Sequence, residues 1–410
     1  MSTWEEHSQG LAAVSGFRSA GAVGGIKPSG KPDVAVIVGD GALVAAGCMT
    51  RNRAAAACVQ RTRAILARAT HRAVVINSGN ANCCTGAQGV ADDAAMAKAM
   101  TAGLGCEPES VFTCSTGVIG VPMPMEAVRQ GIDTAVASLA EPRHSAAEAI
   151  RTTDLVSKEV ALVNESGYAI AGIAKGSGMI HPNMATMLAF ICTDATIDKH
   201  LLQELCSAAV YDSFNAISVD NDESTNDTCL VLASGRSGVE ITGAEAIGTF
   251  AEGLARVMRD LAHRIVRDGE GATSFITVDV RGGRDATEAD RVARSICDSM
   301  LVKTAIAGHD PNWGRIACAA GYSGADFSLE QLQIRLNNVL IFSDGQGHDD
   351  RRRPFRRPDG DVCSRRDLAA SMRGGEVHIE LDLGAGTGER RRWTSDLTHG
   401  YVSINADYTT

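Results

Sequence analysis

Short β-branched runs alternate with longer stretches of helical spacing along the chain. Asp33–Val38 (DVAVIV) and Ala73–Asn77 (AVVIN) are continuous apolar runs of strand length and predict buried strands. Between them, RAAAACVQRTRAILARAT (53–70) predicts a helix. ADDAAMAKAMTAGLG (91–105) predicts a second helix, stopped by its terminal glycine. MEAVRQGIDTAVASLA (125–140), AEAIGTFAEGLARVMRDLAHRIVRDG (244–269) and EADRVARSICDSM (288–300) carry the same helical spacing. CLVLASG (229–235) and FITVDV (275–280) predict strands, and the alternation in EVHIELDLG (376–384) predicts a half-exposed one. YVSINADYTT (401–410) also alternates and predicts a strand reaching the C-terminus. The sum is a mixed α/β protein of sheets covered by helices.

Two irregular stretches punctuate this pattern. VRGGRDAT (Val280–Thr287), rich in glycine and charge, predicts a domain boundary. The second, Asp344–Arg366, holds Arg351–Arg353 and Arg356–Arg357, which could form an anion or nucleic-acid patch. Asp349, Asp350, Asp359 and Asp361 offset those arginines, and a solvated loop is the simpler expectation.

Bulk composition narrows the classes. The 410 residues suffice for two or three domains or one large layered one. At 44 % hydrophobic residues a core is assured, whereas 4 % aromatics do not furnish a stacking surface for bases. A net charge of −10 argues against tracking phosphates. The twelve cysteines include no Cys-x-x-Cys pair, so zinc-ligand spacing is lacking. They read as reduced, mostly buried residues of a cytosolic protein. MSTWEEHSQG has neither the basic nor the apolar segment of a secretory signal, and no apolar run approaches the roughly 20 residues of a membrane span.

Candidate chemistry lies in a few short segments. GIKPSGKP (Gly25–Pro32) imitates a phosphate loop but shows Pro32 where Ser or Thr would reach magnesium, and a strand follows instead of a helix. In AKGSGMIHPNMATMLAF (174–190), Thr186 stands at the head of an apolar run. A threonine there is ordinarily a satisfied core hydroxyl. As a nucleophile it needs a base, and its own α-amine, with a pKa of about 8, serves once the Ala185–Thr186 bond is cut. TCSTGVIG (113–120) holds a Thr-Gly step leaving a strand, which can aim a hydroxyl and an N–H at one point, as an oxyanion hole requires. Glu270, between two glycines in RDGEGAT, and the polar tail complete the set. Each alone has an ordinary reading as a turn, a strand end or a surface carboxylate.

Together they resemble one family. GFRSAG, GGIKPSGKPD, VINSGNANCCTG, STGVIG, RTTD, AKGSGMIHPNMATMLAF, SFNAISVDNDESTNDT, IVRDGEGAT, LVKTAIAGHDPNWGRIACAAGYSG and INADYTT follow in order over nearly the whole chain. The sequence is similar to the ornithine acetyltransferase family, the bifunctional glutamate N-acetyltransferases of arginine biosynthesis. The resemblance implies a layered αββα sandwich with an N-terminal-threonine nucleophile and a smaller C-terminal α/β domain. It places the main domain at about 1–282, the smaller one at about 283–395, and a tail, 396–410, returning to the active site. It implies self-cleavage between Ala185 and Thr186 into chains 1–185 and 186–410, which pair and assemble as a dimer of pairs. Thr116 and Gly117 would form the oxyanion hole. Thr152 or Thr153, Lys175, Thr186, Glu270, Asn405 and Thr410 would contact substrate. The implied reaction moves acetyl from N-acetylornithine to glutamate through an acetyl-threonine, in the cytoplasm, without metal or bound cofactor and with acetyl-CoA as a possible second donor. An N-terminal-nucleophile amidase or aminopeptidase on the same scaffold is the alternative; an unprocessed binding protein is another. The chain departs from the family pattern at Asn221 and Glu223, where the family carries glycine and threonine. Asn tolerates left-handed backbone, so the turn is expected to survive.

Overall fold

The computed structural model describes residues 4–141, 143–181, 187–349 and 351–407. They fall into two units, one within 4–215 and 222–268, the other within 216–221 and 269–407.

The first unit contains β1 (Trp4–Glu6), β2 (Phe17–Ala22), β3 (Val34–Met49), α1 (Ala57–Leu66), β4 (His71–Asn80), α2 (Gly86–Leu104), β5 (Val111–Val118), α3 (Met125–Ala137), α4 (Ala146–Ala149), β6 (Lys158–Asn164), β7 (Ala169–Lys175), β8 (Leu188–Thr193) and α5 (Lys199–Tyr211). After β9 (Ile217–Ser218), which belongs to the second unit, it resumes with β10 (Thr228–Ala233) and α6 (Gly243–Arg267). The strands run β1-β6-β7-β8-β10-β3-β4-β5, with β2 also on β3. The 16-residue β3 carries the path from one layer to the other. Its first half pairs with β2 and β4, its second half with β10, and the register slips between Val38 and Leu43.

Alternating side chains explain the layering. Ala35 and Ile37 of β3 share a core with Val74 and Ile76 of β4 and with Ile173, Phe190 and Leu232 of the opposite layer. Val34, Val36 and Val38 face Met96, Met100, Val128 and Ile132 of α2 and α3. Because Val34–Val38 of β3 are buried on both faces, that segment is a continuous apolar run and not an alternating one. On α6, Phe250, Leu254, Val257, Met258, Leu261 and Ile265 recur at helical spacing and are buried. Asp198 caps α5 by accepting from the N–H groups of His200 and Leu201. This is the α-β-β-α arrangement that the family resemblance implies.

The second unit adds β11 (Phe275–Gly283), α7 (Ala286–Asp298), α8 (Met300–Ala307), α9 (Trp313–Gly321), β12 (Gln333–Leu336), β13 (Val339–Ser343), β14 (Gln346–Gly347), β15 (Phe355–Arg356), β16 (Val362–Cys363), α10 (Arg365–Met372), β17 (Glu376–Asp382), β18 (Gly388–Ser395) and α11 (His399–Asp407). Its sheet runs β16-β15-β13-β12-β17-β11-β18-β9, with β14 on β13. The boundary falls at 268/269, earlier than the expected 282/283. The reason is β11, which pairs with β17 on one side and β18 on the other and so is central to the second sheet.

Other expectations are corrected or refined. The tail is helical over His399–Asp407, not a strand. Val402 and Ile404, the apolar half of its alternation, are 62 % and 37 % exposed, so no sheet face stood behind the pattern. The arginine-rich stretch forms the short β15–β16 pair. There Asp349 accepts from the N–H groups of Arg351 and Arg352, and Arg353 pairs with Asp344. Asn221 holds φ +70°, so the left-handed turn survives without glycine, secured by its amide donating to the Asp298 carbonyl at 2.6 Å. No described helix is long and apolar enough to cross a membrane.

Candidate active site

Parallel pairing of β4 with β5 sets Ser78 opposite Thr116 and Gly79 opposite Gly117. Gly117 has φ +131°, and a Cβ there would lie 2.3 Å from the Gly79 carbonyl carbon. Backbone meets backbone at this point, so only glycine fits. Asn226, 4 % exposed, fastens the end of the pair by donating to the carbonyls of Ala81 (2.6 Å) and Ser115 (2.8 Å).

Lys175, the last residue of β7, donates from Nζ to Thr116 Oγ1 at 3.3 Å. An ammonium has only donors, so Thr116 must accept here, and its own O–H is left to donate elsewhere. Lys175 is buried, and its ladder partner is Leu188, the first residue of β8. The chain therefore re-enters the sheet two residues after Thr186, opposite Lys175. Met187 is already in place there, its carbonyl accepting from the Thr228 N–H at 3.1 Å. Ala185 and Thr186 themselves lie outside the described residues, as does Thr410.

A buried ionic cluster supports Lys175. Lys158, fully buried, donates to Asp154 Oδ1 at 2.7 Å and to Asp268 Oδ2 at 2.5 Å. Asp154 also accepts the N–H of Gly176 at 2.7 Å and that of Thr152 at 3.0 Å. Burial by itself would raise the Asp154 pKa. Lys175, Lys158 and the Gly176 N–H outweigh it and hold the carboxyl well below the usual range. Asp268 accepts from the Leu155 N–H, and Ser177 Oγ donates to the Asp268 carbonyl. These bonds pin both ends of the RTTD loop and the first turn of the glycine-rich run. Both Thr152 and Thr153 are half-buried.

In the second unit, Glu270 is buried and its Oε2 accepts from Asn405 Nδ2 at 2.7 Å. The same Nδ2 reaches the Tyr401 carbonyl at 3.0 Å, a spacing of four residues that only the helical tail supplies. Thr398 Oγ1 donates to the Gly271 carbonyl at 2.6 Å, and Asp396 accepts from the N–H groups of Thr273 and Ser274. The tail thus grips the Glu270 loop. The structure joins Thr116, Gly117 and Lys175 in one group and Glu270 with Asn405 in another.

Sequence reasoning missed Asp154, Lys158, Asp268 and Asn226. Three of these stand in quoted segments, RTTD, IVRDGEGAT and SFNAISVDNDESTNDT, and a charge or amide inside such a string was the available signal. The phosphate-loop mimic is also explained. Asp33, fully buried, accepts the N–H groups of Gly24, Gly25, Ile26 and Lys27, so the loop's donors are filled by its own carboxylate.

A glycine-shaped strand end, a hydroxyl with a proton to donate and a buried ammonium stand together here, a grouping that suits acyl-transfer chemistry. The ArgJ family model matches residues 18–410, and the chain belongs to that family. It is 44 % identical over 419 residues to the arginine biosynthesis bifunctional protein ArgJ 1 of Nostoc sp., covering all of both chains. The corresponding Synechococcus sp. protein is 46 % identical over 415 residues, 99 % of each chain. Among solved structures, an ArgJ chain from Bacillus halodurans is 39 % identical with a TM-score of 0.50, the match covering 54 % of this chain and 100 % of that one.

Proposed function

We propose that this protein is a self-processing acetyltransferase of arginine biosynthesis that moves the acetyl group of N-acetylornithine to glutamate through an acetyl-threonine. The observation that carries the reading is the ladder pairing of Lys175 with Leu188 beside the Thr116–Gly117 strand end. It brings the chain that follows the Ala185–Thr186 bond into the sheet next to a candidate oxyanion hole.

Cleavage frees the α-amine of Thr186. The amine takes the proton of Oγ as Oγ attacks the acetyl carbonyl. Thr116 O–H and Gly117 N–H hold the tetrahedral oxyanion. The C–N bond breaks, the proton passes to the leaving amine, and ornithine departs. The α-amine of glutamate then attacks the ester; N-acetylglutamate leaves and the Thr186 hydroxyl is restored. Lys175 takes a substrate carboxylate, with Thr152 or Thr153 and Thr410 beside the substrate. Glu270, oriented by Asn405, takes the side-chain ammonium of ornithine. Every step uses groups of the chain and its substrates. Acetyl-CoA is the candidate for a second acetyl donor, through the same acetyl-threonine.

The two products, 1–185 and 186–410, remain joined by the sheet. β8 and β10, which follow the cut, lie side by side between β7 and β3, which precede it, so strands of the second chain are bonded on both sides to strands of the first. We expect the pairs to dimerise.

Thr116→Ala is expected to lower kcat by about 10²–10³ with little change in KM, since it removes a donor used chiefly in the transition state. Steady-state kinetics with N-acetylornithine and glutamate check this; an unaltered kcat would remove Thr116 from the oxyanion hole. Glu270→Gln is expected to raise KM for N-acetylornithine by roughly 10–100-fold, the worth of one charge-assisted hydrogen bond. Free acetate in place of N-acetylglutamate as product would instead favour an amidase.

A further inference from the structure

Lys27 lies beside the oxyanion strands yet has no part in the chemistry above. Its backbone is fixed by Asp33, whose carboxylate holds the four N–H groups of residues 24–27. Its stem crosses Gly79, the ladder partner of Gly117: a Cβ on Gly79 would lie 3.1 Å from Lys27 Cγ. Its Nζ donates to the carbonyls of Pro32 at 2.7 Å and Ala149 at 3.4 Å. The Ala149 carbonyl also accepts from Ser78, the partner of Thr116. Both acceptors of Lys27 are neutral, and one of its three N–H bonds is left over. The side chain is half-buried and so keeps access to a ligand.

The proposed reaction creates a need for such a cation. Ornithine and glutamate share an α-carboxylate, which Lys175 can take. They differ in the side chain, an ammonium in one and a carboxylate in the other. Glu270, assigned to the ammonium, would repel the carboxylate. The acceptor therefore requires a second positive group of its own.

We propose, resting on the acetyltransferase reading, that Lys27 binds the side-chain carboxylate of the glutamate acceptor and sets the preference for a dicarboxylate in the second half-reaction. The charges around it agree. Burial brings the Lys27 pKa down to about 8; Asp33 opposes this, Lys175 lowers it further, Asp154 opposes and Arg151 lowers. An ammonium in that state gains from an added anion. Below pH 8 it is charged and binds; above, it loses its proton and its hold on the carboxylate.

The test separates the half-reactions in the full-length, processed enzyme. Ornithine release from N-acetylornithine reports acetylation, and discharge of the acetyl-enzyme by glutamate or by glutamine reports acceptance. Lys27→Met is expected to raise the glutamate concentration for half-maximal discharge by about 10–100-fold. It should leave ornithine release within about threefold and abolish the preference for glutamate over glutamine. Lys27→Arg should retain most of that preference. In the wild type the preference should fall as pH rises through about 8; comparing the two acceptors cancels the titration of their similar α-amines. Equal slowing of both half-reactions by Lys27→Met, or a glutamate preference unmoved by substitution and by pH, would overturn the proposal. A wild-type enzyme that releases no ornithine would instead overturn the acetyltransferase reading itself.

Discussion

On the proposed reading, Thr186→Ala is expected to stay one uncut chain of about 42.8 kDa and to lose transfer activity by a factor of about 10⁴ or more, on the order expected for removing a nucleophile. The substitution removes two functions together. In the proposed mechanism the hydroxyl attacks the Ala185 carbonyl, so without it the α-amine proposed as base would not be released. Without the hydroxyl, no acetyl ester can form either. Thr186→Ser distinguishes the two losses, because it keeps a hydroxyl and an α-amine: it should process, more slowly, and retain measurable transfer. Denaturing gels and intact mass check the cut, and coupled assays check transfer. A Thr186→Ala chain that cleaves normally would show that another group performs the processing.

Lys158→Met is expected to destabilise the first unit by about 3–5 kcal/mol, the range for breaking a buried ion pair by removing one partner. The side chain that replaces it fills similar space, so the loss is electrostatic: Asp154 and Asp268 remain buried without Lys158 between them. The pH dependence follows. Asp154 has a folded-state pKa below its unfolded value, so its contribution is present above the unfolded pKa, about 3.9, and is lost as pH falls through the lower folded value. In Lys158→Met this depression shrinks, and the stability gap between wild type and variant should narrow as pH drops below about 4. Urea unfolding at pH 7 and pH 3.5 measures the gap; an equal gap at both would assign the loss to packing instead.

The parts of the fold legible in the sequence are those dictated by local burial. Val34–Val38 of β3, and β4 and β10, are covered on both faces, so their sequences show continuous apolar runs that need no partner to be recognised. The 25-residue α6 was equally plain from its buried stripe. The tail was not legible, because Val402 and Ile404 alternate by chance and the residue that fixes the helix, Asn405, answers to Glu270, 135 positions away. The domain boundary was misplaced for a related reason. Glycine and charge in 280–287 mark the end of β11, but which sheet β11 joins depends on β17 and β18, about 100 residues further on.

The candidate site divides the same way. Thr116, Gly117, Lys175, Glu270 and Asn405 were nameable because they sit in family strings, and the structure brings them into two groups. Lys158 and Asp268 are separated by 110 positions and meet only in the folded core. Nothing in local spacing announces such a pair. The choice between Thr152 and Thr153 also depends on side-chain direction toward a substrate, which spacing does not encode.

The central claim is the acetyl-threonine, and one measurement meets it directly. Processed wild-type enzyme is mixed with N-acetylornithine in the absence of glutamate, quenched, and the N-terminal peptide of the 186–410 chain is sequenced by tandem mass spectrometry. The account predicts one ornithine released per active site and the acetyl group on the Thr186 side chain, removed when glutamate is added. An unmodified Thr186 peptide with ornithine released all the same, or an acetyl group on another residue, would contradict it.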